Sequence, residues 1–144
     1  MTVLQIKMET RGPLFKGQAG RFAKDARDAA IKDLVEMGEN RLDTMLRPRP
    51  KGVYLSVGEA GKGKASKGHY RRNLSGVARG GQGRISDGGV EYGPWLEGTG
   101  SRNLTTRFKG YHSFRKVGQW LDRHAKKVLD GHVNRAVRRA RGSG

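Results

Sequence analysis

The sequence predicts an α+β fold: a small antiparallel sheet of about four to five short strands packed with a long N-terminal helix and a long C-terminal helix. Three observations predict it. Apolar residues recur at steps of three and four over about residues 20–46 and again over 113–140, the spacing that lines one face of a helix. Between these segments, short runs alternate apolar and polar residues, the period of a strand. Fifteen of the 23 glycines fall between Gly52 and Gly110, so the chain turns most often there.

Taken in order, Thr2–Glu9 places Leu4, Ile6 and Met8 on one face, which is a short strand. Gly12-Pro13 and Gly17 break the chain. From about Gly20 to Leu46, Phe22, Ala23, Ala26, Ala30, Leu34, Met37 and Met45 form a helical stripe, with Gly38 as a weak point and Pro48 and Pro50 as the stop. Val53, Leu55 and Val57 alternate with Tyr54 and Ser56 as a second strand. Residues 58–69 have no periodicity and read as a flexible basic loop. Leu74–Arg79 and Gly83–Asp87 read as two strands around Gly80-Gly81-Gln82-Gly83, and Asp87-Gly88-Gly89 as a further turn. Val90–Leu96 reads as a strand interrupted by Pro94, and 97–112 as irregular. From Ser113, a plausible N-cap, the residues Phe114, Val117, Leu121, Ala125, Val128, His132, Ala136 and Ala140 step by three or four as a last helix. Gly131 is its weak point, with continuity favoured.

The 144 residues fit one domain, 1–144, carrying the basic loop at 58–69 and a basic helix end at 131–144. Only 34% of residues are hydrophobic, so the core is thin or completed by other subunits. The net charge of +17 implies polyanionic or acidic partners. Its density rises along the chain: residues 113–144 hold nine basic and two acidic groups. The absence of cysteine excludes disulfides, thiolate zinc sites and thiol catalysis. No apolar run is long enough for a transmembrane helix, so no membrane partner is expected, and the N-terminus lacks the apolar core of a signal peptide.

No catalytic constellation, metal site or cofactor site is expected. Gly58–Ala65 comes close to a phosphate-binding loop, but Ala65 stands where a magnesium-binding hydroxyl is needed, and no helix start follows. His124 and His132 share a helix face two turns apart, without a closer partner or a third ligand. Glu91 and Glu97 fit structural ion pairs better than a glycosidase pair. The cations Arg135, Arg138, Arg139 and Arg141, with Lys126 and Lys127, exceed what a helix C-terminus needs for its dipole. With Lys62, Lys64 and Lys67 in the loop, they are the candidate contacts to an acidic partner or to DNA.

The stretch Tyr92-Gly93-Pro94-Trp95-Leu96-Glu97-Gly98-Thr99-Gly100, continuing through Arg107-Phe108-Lys109-Gly110-Tyr111 to Phe114-Arg115, resembles the gene-ten-like minor tail and head-to-tail connector proteins of tailed bacteriophages. Tyr92, Trp95, Glu97, Gly98 and Thr99 match that family's aromatic strand end, and Arg107 and Phe108 its continuation. Upstream, Tyr70-Arg71-Arg72-Asn73-Leu74-Ser75 resembles the family's basic turn but lacks the usual Thr-Gly start. The likeness spans about residues 53–141. It implies a non-enzymatic virion protein of the neck or tail end: part of the connector or tail-completion ring through which DNA passes, present in the host cytoplasm during assembly. Its implied partners are copies of itself in a sixfold ring, neighbouring neck and tail proteins, and genomic DNA in the lumen. Within that reading Trp95 and Glu97 are architectural: Trp95 buries its ring at the sheet end, and Glu97 accepts hydrogen bonds or pairs with Arg102 or Arg107. Charge alone fits a second class equally well, a non-viral basic nucleic-acid-binding protein associated with ribosome or nucleoid.

Overall fold

Strand β1 (Val3–Lys7) forms where the sequence alternates, and helix α1 (Gly17–Met45) where the period changes to that of a helix. A computed structural model describes residues 2–9, 17–46 and 69–142. The expected strand at Val53–Val57 and the basic loop with Lys62, Lys64 and Lys67 lie outside these residues. After them come a single helical turn α2 (His69–Arg72), strands β2 (Ser75–Arg79) and β3 (Gln82–Ser86), short helices α3 (Gly93–Glu97) and α4 (Arg102–Thr105), and the long helix α5 (Ser113–Gly142). The class is therefore the expected α+β, with a long N-terminal helix, a long C-terminal helix and a small antiparallel sheet.

The sheet has three strands among the described residues, in the order β1-β3-β2, fewer than the four to five expected. β2 and β3 form a hairpin whose two turn residues, Gly80 and Gly81, both have positive φ, the requirement of a tight hairpin turn. β1 pairs with the other edge of β3, with Leu4 opposite Ile85 and Ile6 opposite Gly83. The expected strand over Val90–Leu96 is instead helix α3. Pro94 sits in its first turn, where its missing N–H costs nothing and its fixed φ suits a helix. A proline there would have broken a strand ladder. Residues 97–112, expected to be irregular, include the single turn α4.

One face of the sheet packs on α1. Val35 fits between Gly76 and Gly83; a Cβ on either glycine would come within 2.5 Å of its methyl groups. Helix α1 buries a second face against α5, which runs antiparallel to it: Val117 and Leu121 lie beside Gly38, and His132 pairs with Asp33. Gly38 is thus not a flaw in the helix. A Cβ there would lie 2.5 Å from Ile85 Cδ1 and 3.1 Å from Leu121 Cδ1, so the missing side chain lets sheet and α5 close on α1 together. The core joins Ile31, Leu34, Val35 and Leu42 of α1 to Tyr70, Ile85, Phe114, Val117 and Leu121. Of the stripe expected on α1, Ala26, Ala30 and Leu34 are buried, whereas Phe22 is largely exposed. Helix α5 runs through Gly131 without a break.

Candidate functional site

The segment that carries the phage-protein resemblance folds into a joint at the start of α5. Helix α3 ends at Gly98, whose φ of 91° reverses the chain and sends its N–H back to the carbonyls of Pro94 and Trp95. Thr99 N and Gly100 N also donate to Pro94 O. The chain loops through α4 and returns, so that Tyr111 N donates to Leu96 O at 2.6 Å. This brings Gly110 against Gly98, backbone on backbone.

Glu97 occupies the centre of the joint, only 4% exposed. Its Oε2 accepts hydrogen bonds from Phe114 N at 3.0 Å and Ser113 Oγ at 3.1 Å, and its Oε1 from Arg115 N at 3.0 Å. The first N–H groups of a helix have no partner inside it, and a carboxylate is the favoured charge there. Glu97 therefore caps α5 from a separate helix. Ser113, expected as the N-cap, is instead the first helical residue; His112, at φ 52°, precedes it and accepts from Lys116 N. Of the two alternatives expected for Glu97, accepted hydrogen bonds or an arginine partner, the first is found, and its bonds go to the helix start. Arg102 and Arg107 are exposed, and neither forms an ion pair with Glu97.

Asn103, buried in the loop, is a residue that the sequence reading missed. Its Nδ2 donates to Trp95 O at 2.9 Å and Phe108 O at 3.1 Å, while Oδ1 accepts from Gly100 N at 3.1 Å. Thr106 and Lys109 add side-chain bonds to the same backbone. Thr99 is exposed and bonds Pro94 O at 3.3 Å. Trp95, Phe108 and Tyr111 meet in series, the first pair tilted and the second edge-on, with ring centroids 4.7 and 4.8 Å apart. Trp95 is half-buried on a helix rather than at a sheet end, and its indole N–H has no hydrogen-bond partner among the described residues. Trp95→Ala is accordingly expected to cost about 2–3 kcal/mol, below the figure for a fully buried ring. Trp95→Phe should be close to neutral, since it also removes an unpartnered donor. Thermal melting of both variants checks this; an unchanged Tm in Trp95→Ala would contradict it.

A second buried carboxylate, Asp87, ties β1 to the turn after β3. It accepts from Thr2 N at 3.2 Å, Gly89 N at 3.0 Å and Tyr70 Oη at 3.4 Å. Gly93 leaves room for it: a Cβ there would sit 2.0 Å from Asp87 Oδ2. Tyr92 is partly exposed, its ring 6.1 Å from that of Tyr70. Burial first, and then the Asp87 charge, raise the Tyr70 phenol well above its ordinary range. The unfolded chain releases that proton near pH 10 while the folded chain keeps it, so stability falls as pH rises from about 10. Tyr92, raised by partial burial, adds to the fall. Urea unfolding across this range is expected to show a shallower decline in Tyr70→Phe; an identical decline would contradict the assignment.

At the far end of α5, Arg135, Arg138, Arg139 and Arg141 are all exposed, and Val133 and Val137 are 40% and 42% exposed. Before that end, His132 Nε2 meets Asp33 Oδ2 of α1 at 2.6 Å, with Arg135 3.1 Å from the other ring nitrogen. Among the described residues, no group of three His, Asp or Glu is placed to hold a metal, and no helix is long and apolar enough to cross a membrane. Comparison with protein-family models, curated proteins and solved structures returns no match for this chain.

Proposed function

We propose that this chain is a structural, non-enzymatic virion protein of a tailed bacteriophage, a subunit of the connector or tail-completion ring at the neck. One observation carries the reading. In the segment resembling the phage family, Glu97, Asn103 and the Gly98–Gly110 crossing serve architecture: they hold the start of a 30-residue helix. The far end of that helix supports it, presenting Val133 and Val137 among arginines, a surface that buries little within its own subunit. In a ring such an end lies on a neighbour, and arginine forks bind acidic side chains or phosphate in pairs of bonds.

On this reading the purified protein assembles without nucleic acid, and mass photometry should find oligomers that weaken as salt rises past ~0.15 M, where screening acts within about 8 Å. Truncation after Gly131 should leave a folded monomer that no longer assembles. A chain that stays monomeric at all salts, or a truncated one that assembles as before, would contradict the proposal.

A further inference from the structure

The outer face of the sheet carries a charge pattern that becomes visible only once the strands are in register. Lys7 lies opposite Gln82, and Gln82 opposite Arg79; in the next row but one, Gln5 lies opposite Arg84 and Arg84 opposite Val77. Alternation puts these six side chains on one face, away from α1. All are exposed, and together they line an open depression of about 630 Å³. None of the described residues lining it is acidic, and Glu9 beside it pairs with Lys7 at 2.8 Å.

We infer that this sheet face binds the phosphate backbone of a nucleic acid without regard to base sequence. Its composition decides between classes of anionic partner. Protein–protein contacts centre on aromatic and other apolar anchors with few charges, and among the described residues this outer face offers only the small side chains of Val3 and Val77. Nucleic-acid contacts are polar and strongly positive, and phosphate oxygens are bound by Arg, Lys, Ser and Gln side chains. Arg79, Arg84, Lys7, Gln5 and Gln82 are that set. Among the described residues the face has no aromatic ring on which a base could stack, so the contact reads charge and not sequence. This inference does not depend on the neck assignment, because it concerns the isolated chain and DNA.

Fluorescence anisotropy with two short DNA duplexes of unrelated sequence tests it over about 0.05–0.2 M salt. The wild-type chain should bind both alike. In the triple variant Lys7→Gln, Arg79→Gln, Arg84→Gln, the slope of log affinity against log salt should fall by about 2–3, and affinity near 0.1 M by roughly a hundredfold. Circular dichroism checks that the variant is folded. Should it not be, protection of Arg79 and Arg84 from phenylglyoxal by duplex DNA, read by mass spectrometry of the wild-type chain, tests the same contact. A wild-type slope in the folded triple variant overturns the inference, as does absence of protection. Loss of binding to polyglutamate with DNA binding intact overturns it too, marking the face as a site for acidic protein.

Discussion

Replacing Glu97 by alanine is expected to destabilise the protein by about 3–5 kcal/mol. The substitution leaves Phe114 N and the Ser113 hydroxyl without their acceptor in a buried place, and Arg115 N in a partly buried one; each buried group costs about 1–3 kcal/mol. It also removes a negative charge from a helix N-terminus, typically worth up to ~1 kcal/mol. Glu97→Gln keeps one acceptor oxygen but turns an NH₂ toward donors, and about 1–3 kcal/mol is expected. Ser113→Ala loses one bond of the three and should cost only about 1 kcal/mol. Urea unfolding followed by helicity measures all three. A loss below ~1 kcal/mol in Glu97→Ala would mean that the start of α5 is held by packing alone.

A comparable loss, about 3–5 kcal/mol, is expected for Gly110→Ala. Its φ of 94° disfavours any side chain, and a Cβ would lie 2.3 Å from both N and Cα of Gly98 and 2.6 Å from the carbonyl carbon of Glu97. Backbone strain of this kind costs about 1–3 kcal/mol and overpacking a similar amount. Because the atoms struck are backbone, relief requires the two chain segments to part, which also withdraws Glu97 from the helix start. The double variant with Glu97→Ala should therefore lose less than the sum of the two, as sites sharing one joint do. Gly142→Ala, with nothing within 4 Å, is the control and should be neutral or slightly stabilising. Full additivity in the double variant would separate the crossing from the cap.

The two long helices were legible because their apolar spacing is local, and the β2–β3 hairpin because Gly80-Gly81 suits only a tight turn. The second buried face of α1 was not. Ile31 and Val35 look like ordinary departures from one stripe until the sheet, with its small Gly76 and Gly83, is set against them. Gly38 read as a weak point for the same reason. The stretch Val90–Leu96 misled because its apolar residues suit either period, and Pro94 interrupts a strand but opens a helix. In the joint, the residue type of Glu97 was informative and its partners were not: its bonds reach 16 to 18 residues along the chain. Asn103 gave no signal, since an asparagine among Gly, Ser and Thr is the normal content of a loop. The cations on the outer sheet face are scattered in sequence, and pairing register alone gathers them.

The proposed neck role is tested most directly by disrupting this gene in the genome that carries it. With its gene disrupted, electron microscopy of the lysate should show DNA-filled heads apart from tails, or tails with aberrant ends, and the protein supplied from a plasmid should restore joining. Infectious particles of normal form, with mass spectrometry finding none of this chain in them, would contradict the assignment.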